Sequence, residues 1–240
     1  MHRALATMIR TIYPPRCMAC ETHTDEAQAL CPACWSKTGF ISGSTCITCC
    51  APLIGEANGE PCDTCLRYPP PWSLGKAALE YDGVGRDLVL ALKKADRLDL
   101  VPAMSRWMQQ AAREILPVTD IVAPVPLHPG RYFKRRFNQS AELARHLAAN
   151  SNLLYSGELL SRIKRTESQH GKDRIQRFEN LQAAIAPTPR NRAIIADRRI
   201  LLVDDVLTTG ATLSACTEAC YAAGAKNVDI LVLARVVNRQ

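Results

Sequence analysis

Two carboxylates stand side by side at Asp204 and Asp205, after the apolar run Ile200–Val203 and shortly before the hydroxyl-rich stretch Thr208-Thr209-Gly210-Ala211-Thr212. Adjacent carboxylates suit sugar hydroxyls, a developing cation or Mg²⁺, and they repel a bare phosphate. The threonines and glycine have the opposite preference, since they offer hydroxyls and let backbone N–H groups approach an anion closely. Leu213, Cys216, Thr217 and Cys220 follow at helical spacing, so the stretch opens a helix whose N-terminal amides and dipole favour a phosphate. The run before the acidic pair reads as a strand buried on both faces, and open α/β sheets hold their ligands at the carboxyl ends of such strands. A ligand with hydroxyls at one end and a phosphate at the other matches both halves.

Three other readings of this segment are weaker. An apolar strand ending in Asp-Asp resembles the Walker B element of a P-loop ATPase, but no Gly-x-x-x-x-Gly-Lys-Ser/Thr accompanies it, and Gly171-Lys172 is followed by Asp173. A response-regulator receiver needs its acidic pair near the domain start. An ordinary strand-loop-helix junction with a threonine cap needs one hydroxyl rather than an array.

Eight of the eleven cysteines form four Cys-x-x-Cys pairs, Cys17/Cys20, Cys31/Cys34, Cys46/Cys49 and Cys62/Cys65, separated by ten, eleven and twelve residues. Each pair can give two thiolates to one tetrahedral ion, so two closed Cys₄ structural zinc sites are the natural reading. Sequential pairing keeps each loop short; cross-bracing is the alternative. Disulfides would need an oxidising compartment. Met1 to Arg16 carries Arg3, Arg10 and Arg16 around an interrupted apolar stretch, without a small-residue cleavage site, so a cytoplasmic protein with reduced thiols is expected. Cys50 is left over, and Cys216 and Cys220 read as small buried hydrophobes on the last helix.

Around these residues the chain divides into a Cys-rich module (1–66), a stiff stretch Arg67-Tyr68-Pro69-Pro70-Pro71-Trp72 read as a linker (67–73), and an α/β domain (74–240). The module is too small to bury much core, so metal must stabilise it. From Leu74 strands and helices alternate. Strands are predicted at 76–81, 120–126, from Ile200 and at 228–235, and helices at 87–94, 101–116 and 139–149, a doubly wound parallel plan. No run approaches a membrane span.

The net charge of +7 is unevenly placed, with residues 126–199 holding fifteen Lys/Arg against six Asp/Glu. Arg131, Lys134, Arg135 and Arg136 follow one predicted strand, and Arg162, Lys164, Arg165, Lys172, Arg174 and Arg177 form a second cluster. Such charge draws pyrophosphate or nucleic acid.

Val203 to Thr212 resembles the phosphoribosyl pyrophosphate (PRPP) loop of type I phosphoribosyltransferases. Val125-Pro126-Leu127-His128-Pro129, Arg131, Arg135 and Phe137-Asn138-Gln139 resemble a block of the competence protein F (ComF) family and its gluconate-periplasmic-gene-linked relatives. So do Thr166, Gln169, Arg177 and Asn180, together with Ala91-Leu92-Lys93, the proline run and the cysteine module, over nearly the whole chain. The resemblance implies a phosphoribosyltransferase-like sheet behind a zinc-ribbon module. It places the ribose hydroxyls on Asp204 and Asp205 as catalytic residues, and the 5-phosphate on Thr208, Thr209, Gly210, Ala211 and Thr212. Pyrophosphate and Mg²⁺ fall near Leu127, His128, Arg131 and Arg135, under a flexible loop carrying Lys164, Arg165, Thr166, Gln169 and Arg177. Two departures stand out, Arg136 for a usual Gly and Lys172 for a usual Leu. The family implies a role in DNA uptake and natural transformation, or in nucleotide salvage. No segment marks a nucleobase pocket, so a phosphoribosyltransferase with unknown acceptor stands beside a non-catalytic module that binds single-stranded DNA and docks a competence helicase or recombination mediator.

Overall fold

The computed structural model describes residues 13–53, 55, 59–94, 97–127, 137–162 and 184–237. Two short helices lie in the cysteine-rich part, α1 (Pro32–Ser36) and α2 (Asp63–Arg67). Then follow β1 (Gly75–Glu80), α3 (Gly83–Lys94), α4 (Val101–Ala111), β2 (Ile121–Pro124), α5 (Gln139–Ser151), β3 (Leu154–Tyr155), β4 (Leu160–Arg162), β5 (Ile185–Pro187), α6 (Arg192–Ile195), β6 (Arg199–Leu207), α7 (Ala211–Ala222) and β7 (Asn227–Arg235). Five strands form one parallel sheet in the order β1-β7-β6-β2-β3, and β4 and β5 form a separate antiparallel pair.

Alternation along the strands sorts the core into two layers. Ile121, Ala123, Ile200, Leu202, Ile230 and Val232 face α7, where Leu213, Cys216 and Cys220 are buried. Val122, Leu201, Val203, Leu231 and Leu233 face the other way, against Leu88 and Leu92 of α3, Met104 and Met108 of α4, and Leu143 and Leu147 of α5. Burial pushes the Cys220 thiol up to about 12 and that of Cys216 well above its ordinary value, as suits inert core residues.

Three elements differ from their predicted bounds by four residues or more. α3 starts four residues early, where the Arg86 N–H donates to the Asp82 carbonyl at 3.1 Å and closes the first turn. α4 stops at Ala111, where Ile115 and Leu116 turn into the core ahead of Pro117. The strand predicted to end before the acidic pair instead continues through Asp204 and Asp205 to Leu207. β7 pairs with it along that length, whereas β2 stops opposite Val203.

The cysteine-rich segment packs directly on the sheet. Phe40 bridges Leu79 in antiparallel fashion, and the Glu80 N–H donates to the Gly39 carbonyl at 2.7 Å, so residues 39–41 cover the outer edge of β1. Gly75 N–H donates to the Ile47 carbonyl at 2.9 Å, and a β-carbon on Gly75 would fall 2.0 Å from the Thr48 carbonyl oxygen. Trp72, within the stretch read as a linker, is buried at 5% exposure. Among the described residues no helix is long and apolar enough to cross a membrane.

Candidate functional site

The chain reverses its direction across the sheet between β2 and β6. From β2 it passes through α5 to β3 on one side, whereas β6 lies on the other side of β2 and leads into α7 on the opposite face. Strand ends diverge at such a point and leave a crevice. Because β6 outruns β2, Asp204 and Asp205 stand at this crevice on a strand held by β7 on its other side.

Each carboxylate has its own partners. Ser140, the second residue of α5, donates its hydroxyl to Asp204 Oδ1 at 2.9 Å, and the Asp205 N–H donates to the same oxygen at 2.8 Å. Ser140 is fixed by the helix cap, since Asn138 Oδ1 accepts the Ser140 N–H at 3.1 Å while Asn138 Nδ2 donates to the Val125 carbonyl. One asparagine therefore ties the end of β2 to the start of α5. Burial, then the neighbouring Asp205 charge, pushes the Asp204 carboxyl up to about 7, against the hydrogen bonds from the Asp205 N–H and Ser140 and the charge of Lys93. Lys93 comes from the last turn of α3 and places Nζ 2.8 Å from Asp205 Oδ1, with both side chains largely buried.

Three residues past the end of β6 the backbone turns into α7 through Gly210, whose φ of +80° only glycine adopts without strain. Gly210 is the N-cap, so no side chain at that position satisfies the first-turn N–H groups, as a threonine cap would. Thr208 is exposed, Thr209 and Thr212 are half-buried, and Ala211 is buried. The loop presents hydroxyls and first-turn amides at the same sheet edge as the acidic pair.

The cysteines gather sequentially into two quartets, Cys17, Cys20, Cys31 and Cys34, then Cys46, Cys49, Cys62 and Cys65, with all four thiols of each within 4.8 Å of one another. That decides between sequential pairing and cross-bracing. Tetrahedral zinc with Zn–S of about 2.3 Å sets thiolates about 3.8 Å apart. The Cys20–Cys31 and Cys49–Cys62 sulfurs are 3.6 and 3.7 Å apart, too far for a disulfide and well placed around one ion. Backbone N–H groups of Cys31, Cys49 and Cys62 point at Cys17 and Cys46 sulfurs at 3.2–3.4 Å, which suits thiolate ligands.

A double zinc ribbon domain matches residues 8–66, and a phosphoribosyl transferase domain matches residues 139–240. The chain is 28% identical over 226 residues to the DNA utilization protein YhgH of Salmonella typhi, covering 92% of this chain and 90% of that one. It is 26% identical over 211 residues to Competence protein F of Haemophilus influenzae, covering 83% and 92%. The chain belongs to the ComF family. Over a shorter stretch of 111 residues it is 32% identical to Competence protein ComFC of Streptococcus pneumoniae, 46% of each chain.

In this ComF-family chain the acidic pair, the loop Thr208–Thr212 and Leu127 come to one edge of the sheet. His128, Arg131, Arg135, Lys164, Arg165, Thr166, Gln169 and Arg177 lie outside the described residues. The antiparallel pair β4–β5 brackets the segment that holds the last five. Sequence reasoning missed Ser140 and noted Lys93 only as part of a family resemblance. Asn138, directly before the helix that carries Ser140, has the residue type of a cap, but nothing in the spacing joins residue 140 to residue 204, or residue 93 to residue 205.

Proposed function

We propose that this chain binds PRPP with Mg²⁺ in the crevice between β2 and β6. One observation carries the reading. The acidic pair and the uncapped start of α7 open at the same sheet edge, which is the two-ended chemistry of a ribose phosphate. Asp204 and Asp205 take the ribose hydroxyls, and residues 208–212 take the 5-phosphate. Mg²⁺, when bound, neutralises the pyrophosphate, and the donor set fits it, with carboxylate oxygens beside hydroxyls. Lys93 adds a positive charge on the side of the crevice away from α7, where pyrophosphate would lie. A screen of nucleobases for pyrophosphate release tests turnover. Release with any base makes the chain an enzyme, and PRPP binding without release makes it a PRPP-responsive module.

Lys93→Met is expected to weaken PRPP binding about tenfold or more, with a shallower dependence on salt, because one charge-assisted contact of about 1.5–3 kcal/mol is lost. Fluorescence or calorimetric titration at two ionic strengths reads this. Unchanged affinity would remove Lys93 from the pyrophosphate side.

The names of the relatives favour a role in DNA handling, and one surface supports contact with single strands. Trp35 on α1 is 53% exposed, is backed by Phe40 at 4.4 Å between ring centroids, and continues to Trp107 through an edge contact at 5.3 Å. A rigid exposed ring of this kind stacks bases irrespective of sequence, for about 1–3 kcal/mol per base. Trp35→Ala should therefore lower the affinity for a single-stranded oligonucleotide by about fivefold or more. Anisotropy titration that finds the same affinity in both proteins would count against this surface.

A further inference from the structure

We propose that Trp72 is a positioning residue of the loop Thr208–Ala211, through which the second Cys₄ site sets the geometry of that loop. Its consequence for ligand binding rests on the PRPP reading above. The coupling itself does not.

The observations form a continuous chain of contact. Thr48 lies between the ligands Cys46 and Cys49, and its carbonyl accepts the Trp72 indole N–H at 2.6 Å. The same carbonyl is fixed from the other side by β1, because Gly75 leaves it room that any β-carbon would fill and the Ile47 carbonyl next to it accepts the Gly75 N–H. The far edge of the indole rests on the loop, where a β-carbon added to Gly210 would fall 2.8 Å from Trp72 Cη2. Gly210 is the residue whose left-handed backbone turns the chain into α7. A shift of the Thr48 carbonyl therefore moves the ring that presses on the turn, and a close-packed contact transmits such a shift rather than absorbing it.

The two Cys₄ sites are not equivalent here. Cys46, Cys49 and Cys65 share one buried cluster with Trp72, Leu207, Ala211 and Leu213. Cys17, Cys31 and Cys34 form a separate small cluster with Leu30 and Val84, near α3 and away from the loop. Among the described residues, only the second site shares a buried cluster with the loop that would hold a phosphate. An exposed linker would leave the loop indifferent to the state of the cysteine module.

The test uses the full chain loaded with zinc and reads amide hydrogen exchange at residues 209–213. Trp72→Ala is expected to raise exchange there by about tenfold or more, while amides of β2 and α5 keep wild-type rates. Cys62→Ser should raise it too, and the double variant should add little to either single change, because both act through one contact. PRPP affinity should fall in the same order. Wild-type exchange at 209–213 in Trp72→Ala, or full additivity in the double variant, would overturn the proposal. Should Trp72→Ala lose its overall fold, Trp72→Phe decides. It keeps an aromatic ring at this position but cannot donate to Thr48 and falls short of Gly210, which the indole reaches through Cη2, so loop exchange about threefold faster supports the coupling and an unchanged rate refutes it. A wild-type chain that binds no PRPP, yet shows these exchange effects, would remove the PRPP reading and leave the coupling standing.

Discussion

Asp204→Asn is expected to make the chain more stable at pH 8 and to lower PRPP affinity by about a hundredfold. The stability gain follows from the raised carboxyl. Asp204 is pushed up to about 7 in the folded chain, against about 3.9 when unfolded. The folded state thus holds this proton more tightly, and ionising it costs stability progressively between about pH 4 and pH 7, with the full cost present above that. Part of the residue reaches solvent, so screening reduces the cost to about 1–2 kcal/mol, or about 2–8 °C in Tm for a chain of this size. Asparagine removes the charge and keeps an oxygen for the Ser140 hydroxyl and the Asp205 N–H. The gain should shrink as pH falls toward 4, where the wild-type carboxyl is already protonated. The affinity loss follows from replacing an ionised acceptor of ribose hydroxyls with a weaker neutral one beside Mg²⁺. Wild-type binding should likewise strengthen from pH 6 to pH 8, with proton release. Thermal melts at pH 4.5 and 8 check the first part. A residue that is less stable with its native side chain than without it is held there for binding.

Removal of zinc is expected to have the second largest effect. The buried residues of the cysteine-rich part are mostly the ligands themselves, Cys17, Cys31, Cys34, Cys46, Cys49 and Cys65, with few apolar side chains beside them. Little hydrophobic stabilisation remains once the metal leaves, whereas structural zinc contributes on the order of 10 kcal/mol to comparable small modules. Chelation under reducing conditions should open residues 13–66 to limited proteolysis and expose the outer edge of β1, now covered by residues 39–41. That edge is a template for association, so the stripped protein should also aggregate faster. Restoring zinc should reverse the proteolysis. Continued protection of residues 13–66 after complete metal loss, measured by a colorimetric zinc assay, would show that the module stands without its ions.

Much of the site was legible because its signals are local. The acidic pair and the glycine-bearing turn lie within one strand-loop-helix unit, and four Cys-x-x-Cys pairs at short intervals leave few ways to build two tetrahedral sites. Other parts needed the fold. The end of β6 could not be placed from its own sequence, because pairing with β7 holds the two aspartates in strand beyond the apolar run. Ser140 and Lys93 reach the aspartates from α5 and α3, and no periodicity encodes which helix end meets which strand end. Trp72 after three prolines reads as linker, and it is buried against the Cys46–Cys49 turn, where the Thr48 carbonyl accepts its indole N–H. Local chemistry writes itself into spacing, and contacts across the crevice are written only in topology.

The most direct measurement of the central claim is calorimetric titration of zinc-loaded protein with PRPP in the presence of Mg²⁺, repeated with Asp204→Asn and Asp205→Asn. The result expected is saturable, Mg²⁺-dependent binding of one PRPP per chain in the wild type, weakened about a hundredfold in each variant while both remain folded. Absence of binding in the wild type, or equal affinity in all three proteins, would contradict the assignment of this crevice.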